Sequence, residues 1–72
     1  MKNLVEYIAK ALVDSPDDVV VKEVGNNLIE LSVEDADRGK IIGRKGRTAH
    51  AIRTLLAAAS DENNPTQLEI VD

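Results

Sequence analysis

The sequence predicts an α+β fold with the element order α-β-β-α-α-β. Three observations carry that prediction. Apolar residues recur with helical spacing near the start and again after residue 46. Three β-branched or alternating stretches lie between and after them. Glycine, asparagine and proline clusters punctuate the joins. A chain of 72 residues has room for one compact domain, taken as residues 1–72.

The elements follow in order. In residues 2–14, Leu4, Ile8 and Leu12 recur every four positions, with Val5, Ala9 and Val13 beside them, as on a helix face. Asp14-Ser15-Pro16 ends that helix, because proline disfavours helical angles at the residue before it. Residues 19–24 are rich in valine and predict a strand. Gly25-Asn26-Asn27 supplies a turn of residues that tolerate positive φ. In residues 28–33, Ile29, Leu31 and Val33 face one side and Glu30 and Ser32 the other. The two strands should form a hairpin. Residues 34–42 carry acids early and bases late, matching the dipole of a short helix. Gly43-Arg44-Lys45-Gly46 breaks it. Residues 47–60 predict a longer helix, residues 61–65 a polar loop, and residues 66–71 a third strand.

Composition excludes several classes. With no cysteine and one histidine, the chain has neither disulfides nor an evident metal site, and no cofactor is expected. No apolar run reaches the ~20 residues needed to span a bilayer. The opening Met1-Lys2-Asn3-Leu4 does not resemble a signal peptide, so a cytoplasmic location is expected, with no membrane partner.

Net charge is −4, which alone argues against a polyanionic ligand. The distribution reverses that reading. Residues 38–53 hold six of the nine Lys and Arg and no acid, a segment of +6. The rest of the chain carries −10. Such a surface repels a polyanion except at one segment. A solvated basic helix face is the plainer alternative.

At the centre of that segment stands Ile41-Ile42-Gly43-Arg44-Lys45-Gly46-Arg47-Thr48. Glycine permits backbone angles and close approaches denied to other residues. The loop opens into a helix N-terminus, whose free N–H groups favour phosphate. Arg44 and Lys45 add charge-assisted donors at its tip. The pattern suits a sugar-phosphate backbone. A P-loop does not fit: its first glycine would fall at Ile41, and Arg47 stands where its lysine belongs. The acids Asp14, Asp17 and Asp18 have no candidate base or metal partner and read as capping and solvation. Enzymatic activity is therefore not expected.

These residues, with the β-β-α-α-β frame, resemble the K-homology (KH) domain in its prokaryotic type II arrangement. The opening helix, Gly39–Ala49 and Ala51–Leu55 are similar to the KhpA family of small stand-alone bacterial KH proteins. The resemblance implies a three-stranded sheet with helices packed on one face. It also implies single-stranded RNA held by the G-x-x-G loop, with bases on an adjacent apolar groove. The RNA-binding set is then Lys40, Ile42, Gly43, Arg44, Lys45, Gly46, Arg47 and Thr48. By position Ile41 and Ile42 approach the groove from the helix side and the second strand from the other. Ile41 is assigned mainly to the core, and Ile42 to core or groove alike. Ala49 departs from the larger aliphatic residue common in KH domains, which leaves base preference open. The one aromatic residue, Tyr7, is expected at the core edge, so no aromatic stacking platform exists. His50 is assigned to the exposed surface or to phosphate. A protein-docking module without RNA binding is the alternative function.

On a wheel at 100° per residue, the apolar arc of residues 47–60 spans about 180°, beyond the roughly 100° one core needs. The surplus edge is Ala51, Leu55 and Ala58. It lies either under the first helix or in an interface. The resemblance implies the interface: a homodimer, or a pair with a larger KH-containing protein of the KhpB or Jag-like type.

Overall fold

Helix α1 spans Lys2–Leu12 in the computed structural model of the chain, which describes residues 1–61 and 63–71. It ends two residues before the predicted limit. Val13 takes extended angles, φ −94° and ψ 160°, while its N–H still reaches the Ala9 carbonyl at 3.2 Å. A 3-10 turn at Pro16–Asp18 follows. Of the two apolar rows, Val5, Ala9 and Val13 are buried, whereas Leu4 and Leu12 lie at the exposed margin. Both rows have the same four-residue period, so periodicity does not decide which one faces the sheet. Tyr7 is 76% exposed and does not pack at the core edge as expected. It falls on the side of α1 opposite Val5 and Ala9, where no element covers it.

Strand β1 (Val20–Val24) pairs antiparallel with β2 (Leu28–Ser32) through the turn at Gly25, whose φ is +66°. Strand β3 (Gln67–Ile70) joins the other side of β2 in parallel, with Ile29 opposite Leu68 and Leu31 opposite Ile70. The sheet order is β1-β2-β3. A parallel pair cannot close through a tight turn and needs a long crossover. Here the crossover carries a 3-10 turn (Asp35–Asp37), α2 (Arg38–Ile42), the glycine loop and α3 (Arg47–Ala59). The topology therefore places the loop within the helical layer, beside the β3 edge.

The alternation predicted for β2 holds: Ile29 and Leu31, followed by Val33, are buried, and Glu30 and Ser32 are not. These residues pack with Val5, Ala9, Val21, Ile41, Ile52, Leu56 and Leu68 into one core. The opposite sheet face stays open, and Lys22 stands directly across from Glu30 there. Among the described residues no helix is long and apolar enough to cross a membrane.

One polar group sits inside. Asp37 is 2% exposed. It accepts a hydrogen bond from the Ser15 N–H at 3.0 Å and faces the Lys40 ammonium at 3.3 Å. Lys40 also reaches Asp14 at 2.8 Å. This cluster ties α2 to the end of α1. Burial alone would raise the Asp37 carboxyl. Hydrogen bonds from the Asp14 and Ser15 backbone and the Lys40 ammonium outweigh it and hold the pKa below the ordinary value. Lys40 is held above its ordinary value, first by the bond to Asp14 and then by Asp37.

The signs decide the pH response. A depressed carboxyl contributes stability above its unfolded value, about 3.9, that is lost as pH falls through the lower folded value. A raised lysine contributes stability below its unfolded value, about 10.4, that is lost as pH rises past the folded one. Replacing Asp37 with Asn should lower Tm near neutrality and flatten the acid limb below about pH 4. Melting curves across pH for wild type and variant test this. Parallel acid limbs would show that Asp37 carries no pH-linked stability.

Candidate nucleic-acid interface

Helix α2 stops because Gly43 leaves it. The Gly43 N–H still bonds to the Gly39 carbonyl at 2.8 Å, but its φ of 76° and ψ of 171° lie where essentially glycine alone is found. A Cβ there would also meet the Thr48 Cβ at 2.6 Å and its backbone N at 2.8 Å. Gly43 is thus required by both conformation and space. Residues Arg44–Gly46 form a single 3-10 turn closed by the Gly46 N–H on the Gly43 carbonyl at 3.1 Å. Within it Lys45 has φ +57°, the only positive value outside glycine among the described residues. Gly46 follows at φ +75° and starts α3.

These angles turn the chain outward and leave Arg44 and Lys45 exposed at the tip. Arg47 is exposed on the first turn of α3, and Thr48 is half-buried against Gly43. No side chain caps that helix start, and its first N–H, that of Arg47, bonds to the Arg44 carbonyl. Three guanidinium or ammonium groups clustered at a helix start can hold an anionic backbone.

Beside the loop runs a groove. Ile42, Gly46 and Ala49 form one wall, Leu68, Glu69 and Ile70 of β3 the other, and Arg38 and Arg53 also line it. Ile42 is 38% exposed and belongs to the groove, whereas Ile41 is fully buried core. The far wall is β3 and not β2, which corrects the expectation from sequence. β2 is paired on both sides, and β3 is the edge. The Gln67 and Val71 N–H groups bond to the carbonyls of Asn27, just before β2, and of Leu31 within it. The intervening Leu68 and Ile70 therefore aim their N–H and C=O groups at the groove, since alternate residues of a strand bond on opposite sides.

Lys40, expected with the loop, lies instead in the Asp14–Asp37 cluster described above. The i,i+3 spacing of Asp37 and Lys40 was the available signal. Five groove residues were not singled out from sequence: Arg38, Arg53, Leu68, Glu69 and Ile70. Arg53 was readable, because 46, 49 and 53 share a helix face. The β3 residues were not, because strand order is a long-range property. His50 is exposed. Ala51, Leu55 and Ala58 are exposed too, with Leu55 at 54%, so α1 does not cover that edge.

A G-x-x-G turn between two helices, carried on the crossover between parallel strands after an N-terminal helix and strand, defines a KH domain of the type II order. The chain belongs to the KhpA/KhpB KH-domain family, whose model matches residues 2–70. It is 54% identical to the RNA-binding protein KhpA of Halalkalibacterium halodurans, with both chains covered completely. It is 52% identical to the protein of that name from Clostridium perfringens, over 99% of this chain and all of the other. For the Chlamydia trachomatis relative, likewise called RNA-binding protein KhpA, identity is 53% over 100% of this chain and 97% of the other. No solved structure matches the chain.

Proposed function

We propose that this chain is a non-catalytic, cytoplasmic RNA-binding protein that holds single-stranded RNA. In this reading the loop Gly43-Arg44-Lys45-Gly46, with Arg47 and Thr48, grips the phosphate backbone. Bases lie in the groove beside Ile42. Lys40 acts from behind, by fixing α2. The observation that carries the reading is the loop itself: successive left-handed angles present two cations at the mouth of an apolar groove. The names of the relatives support the same ligand class. A post-transcriptional regulator or RNA chaperone is the role this suits.

Salt titration tests it. Arg44, Lys45 and Arg47 should meet about three phosphates. The slope of log K against log salt is then about −2, at roughly −0.7 per phosphate on a single strand. Duplex RNA should bind more weakly, because its bases cannot enter the groove. A slope near zero, or no RNA binding, would favour a protein-docking role for the fold.

We also propose that the exposed Ala51-Leu55-Ala58 edge of α3 is a two-fold interface, in a homodimer or with the KH domain of a larger KhpB-type protein. Small alanines around one leucine let a second helix approach closely, and a small domain gains stability from a partner. Since Leu55 is exposed in the isolated chain, Leu55→Glu should leave it folded. It should convert a dimer to a monomer by sedimentation velocity, with weaker RNA binding through lost bivalency. A wild type that sediments as a monomer at tens of micromolar would end the homodimer.

A further inference from the structure

The cations of the basic segment fall into two groups. Arg44, Lys45 and Arg47 surround the loop and do not line the groove, whereas Arg53 does. Gly46, Ala49 and Arg53 follow one another along the same face of α3, so Arg53 lies about 10 Å from the loop, at 1.5 Å per residue. Between them the wall is the small Ala49, and across from them are Leu68, Glu69 and Ile70 of β3. Lys40 and Arg38 are engaged by Asp37, Asp14 and Asp35. Arg53 has no ion pair or hydrogen bond to another described residue. A planar guanidinium with its donors open therefore stands inside the space meant for bases, away from the backbone clamp. Contacts of the first kind position a nucleic acid, and contacts of the second kind read it.

Resting on the RNA-binding reading, we infer that Arg53 is the base-reading residue of the groove and selects guanine. The guanidinium fork matches two adjacent acceptors, and in a single strand two bases offer them: guanine at O6 and N7, and the smaller cytosine at N3 and O2. Adenine sets its amino group beside N7 and N1, and uracil sets N3–H between O2 and O4, so neither offers the pair. The small side chain at Ala49 leaves room for a purine.

The test is fluorescence anisotropy on the full chain with five labelled octamers: uridine only, and uridine with guanine, adenine, cytosine or 7-deazaguanine at every third position. Wild type should bind the guanine octamer roughly ten-fold or more tightly than the adenine one. Removing N7 should abolish most of that advantage. Arg53→Met, shown folded by circular dichroism, should bind all five alike, near the wild-type affinity for uridine and with the salt slope unchanged. A guanine octamer bound by wild type no more tightly than the adenine or the cytosine one would overturn the assignment. So would a uniform loss in Arg53→Met with the slope reduced by about 0.7, which marks a phosphate contact. Failure of wild type to bind any octamer would instead defeat the RNA-binding reading on which this one stands.

Discussion

Reversing both charges at the loop tip, Arg44→Asp with Lys45→Asp, is expected to abolish RNA binding in a chain that remains folded. Each residue is exposed and makes no contact that the core needs. A hydrogen bond to a charged group contributes about 1.5–3 kcal/mol, so two lost contacts cost about 3–6 kcal/mol. At 1.4 kcal/mol per decade, that is a loss of at least 100-fold in affinity, before the new repulsion is counted. The fold should change little, within about 0.5 kcal/mol as for ordinary surface substitutions. Lys45 has φ +57°, and aspartate accepts that left-handed conformation as readily as lysine does. Circular dichroism together with gel-shift titration checks both halves. A folded double variant with unchanged affinity would remove the loop from the mechanism.

Gly43→Ala should be the most damaging single-methyl addition in the loop. Its backbone angles alone cost a residue with a side chain about 1–3 kcal/mol. The added Cβ must also displace Thr48, whose Cβ and N would stand 2.6 and 2.8 Å away. Small domains are stable by about 0.05–0.15 kcal/mol per residue, and each kcal/mol lost moves Tm by about 4–8 °C at this size. A fall of about 10 °C or more is expected. Gly46→Ala should cost less, because it meets no atom within 4 Å and suffers only its left-handed φ. Gly39→Ala, in helical angles and open space, should be neutral or slightly stabilising. Thermal melts of the three variants rank them. Gly43→Ala melting with the wild type would mean that the turn is not held as described.

The features legible in the sequence were the local ones. Alternation in β2 placed Ile29, Leu31 and Val33 inward because a strand has a period of two, and one buried face fixes the register. The glycine loop was legible because Gly43 and Gly46 bracket two bases between helix-forming stretches. What stayed hidden depends on packing at a distance. The choice between the Leu4 and Val5 rows, and with it the exposure of Tyr7, is made by where α1 lands on the sheet. The groove wall fell to β3 because the crossover brings that strand in parallel outside β2. Lys40 looked like a loop cation until the fold brought Asp14, 26 residues away, beside Asp37. That pairing subtracts one charge from the ligand side and adds a tie between helices.

The most direct test of the central claim is an amide NMR titration of the full chain with a single-stranded RNA octamer. Perturbations should centre on residues 42–49, Arg53 and the β3 edge at Leu68 and Ile70. The open sheet face around Val20, Lys22 and Ser32 should stay silent. Shifts centred on that open face, or on α1, with the loop unmoved, would contradict the account.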